Sequence, residues 1–120
     1  MEKVKILGKS FKGEFTTPRC IEKHAQAIYG LEAAAKSLDA GTQNDAEAIA
    51  VLCNKISEAL DDFFGKGAAV RVLGPEPSLT GCLDAFFDFI QIYTDQIAPR
   101  VAKRTNKALE AIREQRRGNE

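Results

Sequence analysis

Few residues of this chain could carry out catalysis. His24 is the only histidine among the 120 residues. Cys20 precedes it by four positions, a spacing that places both side chains on one face of a helix. A thiol beside an imidazole can act as a nucleophile with its base, but the sequence shows no third residue to orient the ring. We therefore interpret His24 as a boundary residue of a helix with a partly packed ring, and we predict that the protein is not an enzyme.

Two pairs of aspartates have a spacing that could serve a cation. Asp61 and Asp62 are adjacent, and Asp84 and Asp88 are four residues apart on one helix face. Acids at that spacing repel slightly, so they need a cation or a basic partner. There is no CxxC pair and no second histidine to complete a zinc site. We expect no metal or cofactor, and we assign these four acids to a face that a protein partner contacts.

The distribution of charge is the clearest electrostatic feature. Residues 44–98 contain nine acidic and three basic residues, a net charge of −6, whereas residues 100–120 contain seven basic and three acidic residues, a net charge of +4. A basic tail can neutralise phosphates. The tail has no aromatic residue for base stacking, and the sequence pI is near 6.6. A nucleic-acid-associated regulator that uses this tail is therefore the alternative function and not the first.

The apolar pattern predicts a mainly α (α+β) fold in one domain. Residues 3–15 alternate as in a β-hairpin, and three main helices follow near 17–40, 44–64 and 78–98, with a short helix near 67–73. Pro99 predicts a kink or an end, so residues 1–99 form the domain and 100–120 a partly helical or disordered tail. The helical stripes predict seven buried residues: Ile28, Leu52, Ile56, Leu60, Leu83, Phe86 and Ile90.

Aromatic residues are numerous for so small a domain. Five phenylalanines lie at positions 63, 64, 86, 87 and 89. Phe89 falls on the less apolar flank of its predicted helix, beside Asp88. We expect Phe89 and Tyr93 to lie on a contact surface for another protein, together with the four aspartates.

Residues 63–87 resemble a family of short proteins from phages and prophages of Gram-positive bacteria. The similar segments are Phe-Phe-Gly-Lys-Gly-Ala-Ala-Val-Arg-Val-Leu-Gly at 63–74 and Ser-Leu-Thr-Gly-Cys-Leu-Asp-Ala-Phe at 78–86. The order of elements and the arginine-rich tail at 114–117 are also similar, whereas the turn at 75–77 and Pro99 depart from the pattern.

The resemblance implies a tail assembly chaperone. Such a protein would bind the tape measure protein and the major tail protein, with self-association into a homo-oligomer as a further possibility. It would act in the cytoplasm of the bacterial host. The start of the chain, Met1 to Lys5, has no long apolar run, and no window reaches the roughly 18 apolar residues of a membrane span, which leads to the same expectation of compartment.

The cysteines give a first test. Cys20, Cys53 and Cys82 fall on three separate predicted helices, and free cysteine packs as a small hydrophobe in a reducing compartment. Thiol titration of the unfolded, non-reduced protein should count three thiols. A count of one would reveal a disulfide and contradict this prediction.

Overall fold

A computed structural model describes residues 1–36 and 46–118 of the chain. A two-stranded hairpin precedes a set of helices, which confirms the predicted mainly α fold. The elements are β1 Glu2–Ile6, β2 Lys9–Gly13, α1 Pro18–Lys36, α2 Ala46–Phe64, α3 Ala68–Leu73, α4 Leu79–Gln91, a π-helical segment Ile92–Ile97 and α5 Ala98–Gly118. The predicted end of the first helix at Gly41 and the start of the second at Asn44 lie outside the described residues. No helix in the described ranges has the length and apolar character to cross a membrane.

The hairpin closes through a two-residue turn. Strands β1 and β2 are antiparallel, with Val4 opposite Phe11 and Ile6 opposite Lys9. The turn residues Leu7 and Gly8 have φ angles of 47° and 81°. Positive φ at both positions matches the twist of the flanking strands, as in a type I′ turn. Val4, Ile6 and Phe11 consequently share the face that packs on the helices.

Side-chain oxygens accept hydrogen bonds from first-turn amides of three helices. The Thr17 hydroxyl accepts a hydrogen bond from the Cys20 amide at 3.2 Å, and the Ser78 hydroxyl accepts one from the Gly81 amide at 3.0 Å, so α1 and α4 each begin at a side-chain N-cap. An Asp61 carboxylate oxygen accepts from the amide of Ala69 in the first turn of α3 at 2.9 Å. Each cap satisfies an amide that has no partner within its helix.

The chain stays helical from α4 to the end of α5, so of the two predicted alternatives, a kink or an end near Pro99, the end does not occur. The Ile92 amide bonds to the Phe89 carbonyl three residues back, and the Ala98 amide reaches the Tyr93 carbonyl five residues back. The turn thus tightens and then widens just before Pro99. Proline cannot donate to the preceding turn and its ring clashes there, and a π-helical widening is a known way to absorb such a defect.

Helix α5 projects from the body but is anchored at its base. None of its 21 residues is buried, and the molecule measures 71 × 25 × 21 Å. The carboxylate of Glu2 in β1 receives hydrogen bonds from Arg100 at 3.0 Å and from Arg104 at 2.8 Å. The bond from Arg100, with the charge of Arg104, holds the pKa of Glu2 below its ordinary value. The residues predicted as a tail are therefore a helix held to the hairpin by its first turns.

The core lies where the hairpin, α1, α2 and α4 meet. Three of the seven predicted core residues are buried, namely Leu52, Ile56 and Leu60, whereas Ile28, Phe86 and Ile90 are only partly buried. Leu83 is 42% exposed, so its predicted burial is wrong. The buried face of α4 is formed instead by Cys82, Ala85 and Phe89, which places Leu83 at the edge of that face.

Two leucine truncations test this packing. Leu60 is 1% exposed, so Leu60→Ala should lower the free energy of unfolding by about 2–5 kcal/mol. Leu83→Ala should cost about 1 kcal/mol or less, because surface substitutions seldom have large effects. Chemical denaturation of both variants measures the difference. Equal losses would contradict the assignment of Leu83 to the surface.

Candidate protein-binding groove

A buried imidazole ties α1 to the end of α4. His24 is 6% exposed, and its Nε2 lies 2.7 Å from the carbonyl oxygen of Phe89. Because a carbonyl oxygen only accepts, the imidazole donates from Nε2–H. Burial lowers the pKa of His24 below its ordinary value of 6.5, which favours the neutral ring. The interpretation of His24 as a boundary residue is therefore wrong.

This hydrogen bond lies where the regular helix gives way to the π-helical segment. The Phe89 carbonyl accepts from His24 and also from the Ile92 amide. A side chain that enters the backbone ladder is a recognised cause of a helix irregularity. The imidazole is the neighbour on α1 that satisfies this carbonyl, so the sequence of α1 supports the path taken by α4 and α5.

Phe89 belongs to an aromatic cluster in the core and not to a contact surface. It is 1% exposed, and its ring centroid lies 4.6 Å from that of His24 and 5.3 Å from that of Phe63. The expectation that Phe89 faces partners is therefore wrong. The prediction took the neighbouring Asp88 as a sign of the solvent-facing side of the helix. Asp88 is itself partly buried and accepts a hydrogen bond from the Leu7 amide.

Tyr93 is partly buried and uses its hydroxyl within the fold. The hydroxyl donates to the carbonyl oxygen of Phe15 at 2.7 Å, and the ring lies 4.7 Å from the imidazole of His24. Burial and the neighbouring thiol of Cys20 raise the pKa of the Tyr93 hydroxyl. The hydroxyl thus ties the π-helical segment to the loop between β2 and α1, and the contact role of Tyr93 stays a prediction.

Two polar side chains, one in α4 and one in the π-helical segment, also form hydrogen bonds with the hairpin. The Gln96 amide accepts from the Lys5 amide at 2.7 Å and donates to the Lys5 carbonyl at 2.9 Å, as a neighbouring strand would. Asp88 accepts from the Leu7 amide at 2.8 Å. Gln96 thereby satisfies part of the free edge of β1, which would otherwise offer a pairing site to another strand.

The four predicted aspartates have different environments. Asp61 caps α3 and Asp88 holds the hairpin turn. Asp62 lines a groove between α1 and α2, and its carbonyl oxygen accepts a hydrogen bond from Lys23. Asp84 is exposed on α4. The structure does not bring them together on one contact face, and within residues 1–36 and 46–118 no group of three acids, cysteines or histidines could hold a metal ion.

The cysteines lie in the interior as free thiols. Cys53 and Cys82 are buried and Cys20 is partly buried. Burial, together with contact with Cys53, raises the pKa of the Cys82 thiol. A raised pKa keeps the thiol protonated and lowers its nucleophilicity, since the thiolate is the reactive form.

An apolar depression of the surface lies between α1 and α4. We call it the α1–α4 groove, and it encloses about 410 Å³. Its lining consists of Ile28, Glu32, Ala35, Lys36, Phe86 and Ile90. Glu32 and Lys36 form an ion pair at 2.9 Å along the α1 side. The floor is therefore aliphatic and aromatic, with charge confined to the α1 rim.

Large apolar side chains extend the groove onto the open surface. Phe87 is 63% exposed and Leu83 is 42% exposed on α4, next to the lining residues Phe86 and Ile90 on the same helix. Tyr29, on α1, is 77% exposed and lies one turn from Glu32. Exposed apolar side chains beside an apolar groove are typical of interaction sites.

The sequence contained a signal for this surface that the prediction did not use. The apolar residues of α4 at 79, 82, 83, 86, 87 and 90 cover a wider arc than a single buried stripe needs. Packing against α1 and α2 uses only part of that arc, and Leu83 and Phe87 remain outside.

A second groove runs between α1 and α2. It encloses about 340 Å³, and its walls carry Lys23, Lys55, Glu58 and Asp62. These charges have both signs, and the hydrogen bond from Lys23 to the Asp62 carbonyl crosses the groove between the two packed helices. The α1–α4 groove is the better candidate for an apolar ligand.

The chain is thus a small, mainly helical protein with an apolar surface groove between α1 and α4. The chain matches the family described as a family of unknown function (DUF6673) over residues 7–120, and it belongs to that family. No curated protein and no solved structure gives a match.

The pH dependence of stability tests the assignment of His24. Its pKa is lowered in the folded chain, so the unfolded chain binds a proton more readily. The stability that this group contributes is complete above about pH 6.5 and falls as the pH drops toward the folded-state pKa. The fall cannot exceed about 1.4 kcal/mol per pH unit for one proton. Urea unfolding at about pH 7.5 and pH 5.5 measures it.

The control for this experiment is His24→Gln. Glutamine can still donate a hydrogen bond but does not titrate, and the carboxylates remain the same in both proteins. The variant should lose less stability than the wild type over this pH range. Equal slopes, or greater wild-type stability at the lower pH, would contradict the buried neutral imidazole.

Proposed function

We propose that this is a non-catalytic protein that binds an amphipathic helix of another protein in the α1–α4 groove. The observation that carries the proposal is the set of exposed apolar side chains, Tyr29, Leu83 and Phe87, around a groove of about 410 Å³. Aromatic side chains in such positions supply much of the binding energy at protein interfaces.

The shape of the site supports a helical ligand. Two helices form the walls of the groove, and a third helix can lay an apolar face between them, with anchors at spacings of three and four residues. Asp84 is exposed beside Leu83 and Phe87, and Glu32 lies at the opposite rim. A helix with basic residues beside its apolar stripe would complement these acids.

The more specific form of the proposal is a tail assembly chaperone in the cytoplasm of a bacterial host. Its support is the resemblance of residues 63–87 to short phage and prophage proteins. The ligands of the groove would then be helical segments of the tape measure protein, with the major tail protein as a further partner. An amphipathic helical segment of such a partner would lay its apolar face in this groove.

A nucleic-acid-associated regulator is the second candidate, favoured by one observation. Helix α5 is exposed along its whole length and carries seven basic and two acidic residues, a net charge of +5. Arg100 and Arg104 are already paired with Glu2, which reduces the charge available to phosphates. The groove plays no part in this alternative.

A capture experiment separates the two candidates. Fragments of the tape measure protein and of the major tail protein should retain the full-length chain, and Phe87→Lys should weaken retention by about tenfold or more. Val70→Lys is the matched control, because Val70 is 62% exposed on α3, outside the groove lining, and should bind like the wild type.

A parallel titration with double-stranded DNA completes the test. No retention by any fragment, together with DNA affinity that collapses between about 50 and 200 mM salt, would overturn the proposal in favour of the nucleic-acid candidate.

A further inference from the structure

Helix α5 has an apolar stripe that the described residues, 1–36 and 46–118, leave exposed. Val101, Leu109 and Ile112 are 43%, 46% and 49% exposed. The stripe covers one side of the helix, because its members follow one another at steps of three and four. They are Val101, Thr105, Ala108 and Ile112, and Leu109 flanks them. An isolated helix of this length is marginal in water, and contact with an apolar surface would stabilise it.

The stripe cannot reach the groove of its own chain. Helix α4, the π-helical segment and α5 form one continuous run, so α5 leads away from the groove residues Phe86 and Ile90. Ile112 is 22 residues beyond Ile90, about 33 Å along a helix axis. Any contact between this stripe and an α1–α4 groove therefore joins two molecules.

The charges distinguish between the ways in which two copies could meet. Two α5 helices would each bring a net charge of +5, so pairing of α5 with α5 is opposed by repulsion. Residues 46–97 contain eight acidic and three basic residues, a net charge of −5, and residues 1–36 contain four acidic and seven basic residues, a net charge of +3, so the described part of the body has a net charge of −2. On α4, Asp84 is exposed beside the apolar rim of the groove, whereas on α5 Arg113 and Arg116 lie close to the stripe in sequence. The electrostatics favour α5 on the body of another copy.

We infer that the α1–α4 groove takes α5 of a second copy of this chain, with Val101, Leu109 and Ile112 against Leu83, Phe87 and the groove floor. The inference rests on the proposed function, since it assumes that the groove accepts an amphipathic helix. A contact of this kind joins two different surfaces. Self-association then occupies the groove until a partner helix displaces α5.

Complementary variants test this contact in the full-length chain. Phe87→Lys disables the groove and leaves α5 intact, whereas Ile112→Glu disables α5 and leaves the groove intact. Both positions are exposed, so both variants should fold. Val70→Lys and Asn106→Glu make matched changes outside the two surfaces and should behave like the wild type. Sedimentation equilibrium up to about 1 mM protein detects dissociation constants in the millimolar range and below.

The wild type should self-associate, and each disabled variant should be monomeric at the same concentration. An equimolar mixture of Phe87→Lys and Ile112→Glu should regain association but stop at a 1:1 complex, because only one intact groove and one intact α5 remain per pair. A monomeric wild type, association of either disabled variant alone, or a mixture that stays monomeric would overturn the inference. If fragment capture is still lost in Phe87→Lys but the wild type is monomeric, the self-association fails while the proposed function stands.

Discussion

The hydrogen bond from His24 Nε2–H to the Phe89 carbonyl is the interaction on which the rest of the structure depends. It joins α1 to α4 at the point where the α-helical ladder is interrupted, and it is buried among the rings of Phe63, Phe89 and Tyr93. The Phe89 carbonyl accepts from the Ile92 amide as well, so the imidazole adds a second hydrogen bond at the interruption and ties it to α1. The widened turn that follows lets the chain continue helically through Pro99 into α5.

The surface consequences follow from this arrangement. Phe89 points into the core together with Cys82 and Ala85, and the opposite edge of α4 is left with Leu83 and Phe87. The groove beside α1 exists because Phe86 and Ile90 lie between these two faces, half covered by Ile28 and Ala35. Continuation past Pro99 carries the basic helix away from the body, and Glu2 anchors its base through Arg100 and Arg104. The molecule therefore has an apolar surface at the α1–α4 groove and, at a separate place, the basic amphipathic helix α5.

Much of the fold could be predicted from the sequence, because local signals determine it. The Gly8 turn, the caps at Thr17 and Ser78 and the stripe through Leu52, Ile56 and Leu60 are read from near neighbours in the chain. The burial of His24 and the course of the chain at Pro99 could not be predicted this way. His24 is buried through a contact with a residue 65 positions away, and the usual effect of proline predicted a kink or an end of the helix.

The candidate site was harder to predict than the fold. Phe89 and Leu83 exchanged their expected roles, because a helix with apolar residues over a wide arc can be rotated by a fraction of a turn without any change in its pattern. Which edge faces the core is decided by α1, α2 and the hairpin together. The aspartates were grouped by charge, whereas Asp61 and Asp88 are used as acceptors for backbone amides.

Nitrogen-15 NMR of the single imidazole tests the central claim most directly. With only one histidine in the chain, the two ring nitrogens can be assigned without ambiguity. The structure predicts a neutral Nε2–H tautomer in the folded protein, with a titration midpoint below 6.5 because of burial. A neutral Nδ1–H tautomer, or a midpoint at or above 6.5, would contradict the bond to Phe89 and the account built on it.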